Sequence, residues 1–227
     1  MKQENPHIIT ASNLGAIRGG RSVFSGLGFE LSAGCIMLLK GTNGSGKSTL
    51  LRLLAGLLPA SAGSLHIGGI SPAEDPAASQ ASLHYIGHAD ALKPVWTLRQ
   101  NLDFFARTVL GLLPEDSLIE KAAASMDLLA LLDQPVRYFS AGQRHRSSLA
   151  RLGLGNRSLW LLDEPTVGLD AANRALLATM IERHLATGGA VIAATHDALD
   201  LAAGTPVQTL LIDDFTVPPP AGMGVPS

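Results

Sequence analysis

Apolar and polar positions follow two patterns along the chain, short continuous apolar runs and longer stretches with helical periodicity. The apolar runs predict buried strands at 35–39, 83–87, 158–162 and 190–195. Runs that are apolar at nearly every position are typical of parallel strands covered on both faces. The periodic stretches predict helices at 49–54, 98–110, 115–132, 141–154 and 171–186. The chain therefore has the pattern of an α/β protein.

A helical insert interrupts the series of strands. Residues 8–67 have the pattern of strands, turns and one helix, and 68–82, rich in Ser, Pro, Ala and Gly, predicts a loop. Helical character then prevails until about residue 140, and Thr97 and Gln100 form a capping-box pattern at its start. We expect a mainly parallel sheet with an N-terminal antiparallel β part and a helical subdomain inserted at about 93–155.

Composition narrows the class of protein. The 227 residues are 46% hydrophobic and 16% charged, which suits one large folded domain and argues against a disordered chain. With a net charge of −2 the chain has no excess of basic residues to contact a nucleic-acid backbone, so we expect no nucleic-acid partner. No apolar run approaches the ~18 residues of a bilayer span. Because Met1–Thr10 also lacks the features of a secretory signal, we expect the protein to stay in the cytosol.

The segment from Gly41 to Ser48 fits the phosphate-loop pattern G-x-x-x-x-G-K-[ST] between a predicted strand and a predicted helix. Glycines there let backbone N–H groups close on phosphate oxygens at a helix N-terminus. Lys47 would reach the β and γ phosphates, and Ser48 would bind Mg²⁺. The alternative is an ordinary glycine turn, which the flanking strand and helix disfavour. The candidate nucleotide-binding residues here are Gly41, Asn43, Gly44, Ser45, Gly46, Lys47, Ser48 and Thr49.

Two carboxylates, Asp163 and Glu164, end the apolar run at 158–162. Ligands of parallel sheets bind at the carboxyl edge, where such residues lie. Since strand side chains alternate, Asp163 would face the Mg²⁺ and Glu164 would polarise the attacking water. Taken alone, an acid pair is also common as a helix cap or a solvated turn. Beside a phosphate loop we interpret it as a second part of one site.

The pentapeptide Phe139-Ser140-Ala141-Gly142-Gln143 opens a predicted helix with Ser140 as the N-cap. Alone it indicates only a capped helix. Between the phosphate loop and the acid pair, it resembles the Leu-Ser-Gly-Gly-Gln signature of the ATP-binding cassette family. Gly168-Leu169-Asp170 is similar to that family's dimer-contacting loop, and Thr195-His196-Asp197 is similar to its switch histidine. The resemblance covers about 14–213.

This resemblance implies a P-loop NTPase core of the RecA-like type that uses ATP and Mg²⁺. It implies one ATPase domain at 1–215, and the Pro- and Gly-rich 216–227 predicts a flexible tail. It also implies a head-to-tail homodimer. One subunit would hold ATP through Lys47, Ser48, Asp163 and Glu164, with His196 on the γ-phosphate. The other would contribute Ser140, Gly142, Gln143 and Asp170.

Three positions depart from the family pattern. His88 stands where the family usually has Gln, and because histidine titrates, turnover can depend on pH there. Arg18 stands where the family stacks an aromatic ring on adenine. A guanidinium plane can also stack on a base, although a solvated arginine is the alternative. Ala141 replaces the first signature glycine, which helical geometry tolerates.

Segments around His88, Pro94, Asn101 and Arg144 narrow the resemblance to the branch of the family that serves haem export in cytochrome c biogenesis. That branch implies a separate integral membrane permease and a place on the cytoplasmic face of the bacterial inner membrane. The permease would dock between the core and the 98–132 insert, near His88 and Trp96. No direct haem site is visible. Alternatives are an exporter of lipid or drug, a soluble ATPase outside transport, and a module that binds nucleotide without hydrolysis.

Overall fold

The computed structural model describes residues 7–111 and 113–216, which form two sheets and the helices around them. The first sheet is antiparallel and has the order β2-β1-β4: β1 (His7–Arg18), β2 (Arg21–Ser32) and β4 (Ala62–Ile67). The second is parallel and has the order β5-β6-β7-β3-β8: β3 (Ile36–Lys40), β5 (Leu83–Ile86), β6 (Leu159–Asp163), β7 (Ala190–Ala194) and β8 (Val207–Leu211).

The α-helices are α1 (Lys47–Leu54), α2 (Pro76–Ala81), α3 (Leu98–Thr108), α4 (Asp116–Ala124), α5 (Ala141–Ala150) and α6 (Ala171–Ala186). The helices α3, α4 and α5 lie between β5 and β6 in the chain, so the inserted helical subdomain is confirmed. The parallel sheet and the N-terminal antiparallel sheet are confirmed as well. No helix among the described residues is both long and apolar enough to cross a bilayer.

The expected helix at 115–132 is too long. It ends at Ala124 because Asp127 takes a left-handed conformation with φ 54°, and the Leu128 N–H then donates to the Ala123 carbonyl. A single 3-10 turn, Leu129–Leu131, follows. The expected helix at 141–154 likewise changes to a 3-10 turn after Ala150. Local backbone geometry overrides the apolar periodicity at both ends.

The expected loop at 68–82 contains α2, and β8 was not predicted. The sequence does carry a helix signal at α2, because Asp75 accepts a hydrogen bond from the Ala78 N–H at 3.0 Å and Pro76 occupies the first turn. Of the expected tail, Thr216 pairs with Phe24 as an isolated β-bridge. The remainder, 217–227, lies outside the described residues. The domain limits of 1–215 stay a prediction.

The parallel sheet separates two apolar clusters. Because strand side chains alternate between the two faces, neighbouring residues of one strand belong to opposite clusters. Trp160 and Leu162 of β6 pack in the cluster on the helical side, whereas Leu159 and Leu161 pack against α1 and the antiparallel sheet. The next residue in that alternation, Asp163, is therefore directed to the side of α1. Sheet pleating thus positions the first of the two candidate carboxylates.

Two histidines flank Trp160 on the helical side of the sheet, and of these His84 is buried and His184 is partly buried. His184 of α6 stacks on the Trp160 ring with centroids 4.0 Å apart, and His84 is the β5 neighbour of Trp160 and stacks on Phe105. Burial lowers the pKa of His84 to about 3 and that of His184 to about 4. Both rings are therefore neutral at pH 7, and protonating them opposes folding.

We predict that the free energy of unfolding falls as the pH decreases from 6.5 towards 4. In this range the two histidines bind protons in the unfolded chain but stay neutral in the folded chain. Each histidine contributes a slope of at most about 1.4 kcal/mol per pH unit in that range. Urea unfolding at pH 7 and pH 5 measures the loss. His184→Phe keeps a ring on Trp160 but cannot be protonated, so its loss should be smaller than that of wild type. His66→Phe, at an exposed position of β4, is the matched control. Equal losses in the two variants would contradict the prediction.

Candidate nucleotide-binding site

The phosphate loop connects β3 to α1, and its glycines adopt conformations that other residues avoid. Gly41, Gly44 and Gly46 have φ values of 150°, 84° and 106°. A Cβ on Gly41 would lie 2.7 Å from the Ser45 Oγ, and one on Gly46 would lie 2.7 Å from a Val23 methyl. The loop therefore needs glycine for both backbone conformation and space.

Lys47 lies at the first position of α1 and is 7% exposed. Its Nζ donates to the Gly41 carbonyl at 2.8 Å and to the Thr42 carbonyl at 3.0 Å. These bonds hold the ammonium across the loop, where the helix N-terminus also presents unpaired N–H groups. Positive charge and N–H donors thus converge on one point, as an anion site requires.

A cavity of about 510 Å³ opens at this point. It is lined by Arg18, Val23, Asn43, Gly44, Gly46, Lys47, Ser48, Thr49, Glu164 and His196. The structure therefore brings Arg18, Glu164 and His196 beside the phosphate loop, and their roles stay predictions. Gly41 and Ser45 do not line this cavity, and the buried Ser45 Oγ has no hydrogen-bond partner among the described residues.

Ser48 and Asp163 form the candidate magnesium site. The Ser48 Oγ donates to the Asp163 Oδ1 at 2.9 Å, across a sequence separation of 115 residues. Asp163 is 2% exposed, and its Oδ2 has no hydrogen-bond partner among the described residues. A hydroxyl and a carboxylate with a free oxygen fit the oxygen ligands that Mg²⁺ prefers. The residues present therefore fit the ion that the sequence implied.

Glu164 leaves the strand in a left-handed conformation with φ 53°, which is uncommon for a residue with a side chain. Its N–H donates to the Ala194 carbonyl at 2.8 Å, so β7 holds the turn. The Glu164 Oε1 lies 3.6 Å from the His196 Nε2, and these side chains are 22% and 53% exposed. Carboxylate and imidazole thus face each other at the rim of the phosphate cavity.

The signature segment begins α5 with a complete capping box. The Ser140 Oγ accepts from the Gln143 N–H at 3.2 Å, and the Gln143 Oε1 accepts from the Ser140 N–H at 2.8 Å. The box satisfies two donors, and the first-turn N–H groups of Ala141 and Gly142 point outwards as in any helix start. None of 140–143 lines the phosphate cavity of the same chain.

Asp170 is the N-cap of α6. Its Oδ1 accepts from the Asn173 N–H at 2.8 Å, and this bond lowers the pKa of the carboxyl group. The preceding loop lies against the signature, since a Cβ on Gly142 would be 3.2 Å from the Gly168 carbonyl oxygen. The observed bonds of Asp170 are those of a helix cap, and its contact with a second subunit stays a prediction.

His88 is exposed and lies two residues beyond the end of β5. It lines a second cavity, of about 170 Å³, that also has Asp163, Glu164, Gly142 and His145 on its walls. The structure therefore brings His88 to the edge that carries the candidate carboxylates. Its catalytic role and the stacking of Arg18 on adenine stay predictions.

Sequence reasoning missed Asp213, which lies just after β8. Its carboxylate accepts from the Thr42 N–H and from the Thr42 Oγ1, both at 2.9 Å. These bonds tie the start of the phosphate loop to the end of the sheet. No local motif marks Asp213, because the contact exists only once β8 pairs with β3.

Fold and site together define a P-loop nucleotide-binding protein. The chain belongs to the ABC transporter family, whose model matches residues 24–167. It is 43% identical over 222 residues to the cytochrome c biogenesis ATP-binding export protein CcmA of Rhodospirillum rubrum, covering 98% of this chain and 93% of that protein. It is 46% identical over 193 residues to CcmA of Rhodopseudomonas palustris, with coverages of 85% and 94%. Both the family resemblance and its narrower branch are confirmed.

Solved structures agree on the fold. An ATP-binding subunit of an ABC transporter matches with a TM-score of 0.75 at 23% identity, covering 83% of this chain and 80% of that chain. An ATP-binding cassette of an ABC transporter in its ADP conformation matches with a TM-score of 0.71 at 21% identity, with coverages of 92% and 89%. The predicted fold class is confirmed.

We predict that Lys47→Ala weakens ATP binding by at least about tenfold, because a charge-assisted contact with phosphate is worth roughly 1.5–3 kcal/mol. Titration of a fluorescent ATP analogue measures the affinity. Lys121→Ala removes an exposed lysine of α4 far from the loop and serves as the control. An affinity equal to that of the control would remove Lys47 from the site.

Proposed function

We propose that this chain is the ATP-binding and ATP-hydrolysing subunit of a transporter that drives a separate membrane permease in cytochrome c biogenesis, with haem as the cargo. The observation that carries the proposal is that Lys47, Ser48 and the Glu164–His196 pair line one cavity, while Asp163 accepts a hydrogen bond from Ser48. The CcmA relatives supply the pathway.

Each side chain of the site has a separate task. Lys47 and the loop N–H groups bind the β and γ phosphates of ATP. Ser48 and Asp163 would hold Mg²⁺, which would supply positive charge beside the phosphates. Glu164 orients and polarises the attacking water, and His196 contacts the γ-phosphate. Arg18 is exposed and lines the same cavity, where the adenine would stack on its guanidinium.

A second copy of the chain completes the pocket in this proposal. Supporting it, the signature helix begins outside the phosphate cavity of its own chain, with Ser140 exposed. The N-terminus of α5 carries about half a positive charge and can bind a phosphate presented by another subunit. Ser140, Gly142 and Gln143 would make that contact, and Asp170 would pack against the partner across the same interface.

The permease is a CcmB-like integral membrane protein in this proposal, and the chain binds it at the cytoplasmic face of the inner membrane. The candidate docking face follows His88 in the chain. There Val95 is 68% exposed, and the Lys93 Nζ lies 4.5 Å from the Trp96 ring and 4.7 Å from the Phe104 ring. An exposed apolar patch beside a cation suits the cytoplasmic helix of a membrane partner.

We predict that Glu164→Gln retains ATP binding, lowers the hydrolysis rate by at least about 100-fold and accumulates an ATP-bound dimer, because the amide cannot polarise water. Phosphate release and sedimentation velocity measure the two effects. Glu74→Gln changes an exposed glutamate in a loop and is the control. Hydrolysis at the wild-type rate would remove Glu164 from its role, and a monomer with bound ATP would contradict the dimer.

The pathway has its own test in a bacterium that makes c-type cytochromes. We predict that deletion of the gene abolishes all holocytochromes c, measured by haem staining of membrane and periplasmic fractions. Wild type and Glu74→Gln should restore them, and Glu164→Gln should not. Normal cytochromes in the deletion strain would contradict the proposed pathway while leaving ATP hydrolysis standing.

A further inference from the structure

We propose that His145 is a positioning residue that links the segment 87–92 to the Glu164 turn, and that the link requires a protonated imidazole ring. The inference rests on the ATP hydrolysis proposed above and adds a residue and a pH dependence to it. His145 lies in the second turn of α5, the helix that the signature begins.

The ring of His145 bridges three parts of the site. Its Nε2 lies 3.0 Å from the Pro165 carbonyl oxygen, and its Nδ1 lies 3.4 Å from the Asp90 Oδ1. The His145 and Asp90 side chains are only 13% and 29% exposed. The contact therefore joins the signature helix, the segment before the insert and the turn after β6 in a partly buried place.

Both partners of the ring are hydrogen-bond acceptors. The contact with the Pro165 carbonyl is a hydrogen bond that needs an N–H at Nε2, and the contact with Asp90 is an ion pair that needs a charged ring. A neutral imidazole has one N–H, whereas the imidazolium ion has two. Only the protonated ring therefore makes both contacts, and losing the proton removes either the ion pair with Asp90 or the hydrogen bond with Pro165.

The charges around the ring come from each element packed against it. Asp90 and His88 face it from the segment 87–92, and Asp163 and Glu164 lie across the small cavity. Buried Arg151, at the end of α5, interacts with Asp90. On the same helix, Arg144 donates to the Phe139 carbonyl and Arg146 to the Met126 carbonyl.

Holding the Pro165 carbonyl fixes the residue before it. Glu164 has a strained backbone, and the conformation of a residue that precedes proline is further restricted. When His145 releases Pro165, the Glu164 carboxylate is no longer held in the orientation that polarises the attacking water. The hydrogen bonds within the phosphate loop do not change. The effect should therefore fall on kcat and not on the KM for ATP.

The same link gives the permease a route to the catalytic carboxylate. The segment 87–92 leads directly to the patch of Lys93, Val95, Trp96 and Phe104. A displacement of that patch moves Asp90, and through the ring it moves Pro165. Proton loss from His145 would uncouple the two ends.

The test measures ATP hydrolysis by the full chain from pH 6 to 9 in wild type, His145→Ala, Asp90→Asn and the exposed control His66→Ala. We expect His145→Ala to lower kcat by at least about tenfold with KM within about twofold, which locates the loss in the chemical step. In wild type and His66→Ala, kcat should fall as the pH rises. In Asp90→Asn that fall should disappear, because the asparagine amide donates to the unprotonated Nδ1 and a neutral ring then makes both contacts.

Three outcomes would overturn the inference. The first is a kcat of His145→Ala equal to that of His66→Ala. The second is an alkaline fall that persists unchanged in Asp90→Asn. The third is an alkaline fall that disappears in His88→Gln while Asp90→Asn keeps it, which would assign the titration to His88. If the wild-type chain hydrolysed no ATP at any pH, the proposed function itself would fail, which distinguishes that failure from these three.

Discussion

The hydrogen bond between Ser48 and Asp163 is the contact on which the rest of the site depends. It joins the first turn of α1, which follows β3, to the last residue of β6. It therefore forms only if β3 and β6 end at the same edge of the parallel sheet. At that edge the N-terminus of α1 favours a bound phosphate, and the unpaired Oδ2 of Asp163 can bind a cation. Glu164 and His196 reach the same cavity because the adjacent strands β6 and β7 end there.

The proposed site consists of residues that meet within one chain and of a signature helix that a second chain would supply. The phosphate loop, the carboxylates and His196 meet within one chain and are held by direct bonds, including the two that Asp213 accepts from Thr42. The N-terminus of the signature helix does not line the phosphate cavity, although Gly142 shares the smaller cavity with Asp163 and Glu164. In the proposed dimer its positive end acts on the phosphate of another chain. His145 links these two parts of the site, since it lies on the signature helix and contacts the turn after Glu164.

Patterns that are local in sequence predicted most of the fold and of the site. The phosphate loop, the capping box at Thr97 and the N-cap at Ser140 combine residues within one turn, and the structure has them as expected. The predicted helix at 115–132 was too long, because apolar periodicity does not reveal that Asp127 takes a left-handed conformation. The short α2 was missed although Asp75 and Pro76 mark its start. Asp213 and His145 could not be found from sequence, because their partners lie 171 and 20 residues away.

The central claim is that two chains close on one ATP, each supplying the signature helix for the other. A cross-link measures it directly in a Cys35→Ser background, with Ser140→Cys in one tagged copy and Asn43→Cys in another. The account predicts a disulfide between the differently tagged chains that forms with ATP and Mg²⁺ and not without nucleotide. A cross-link that forms equally without ATP, or none between the two copies when ATP is bound, would contradict it.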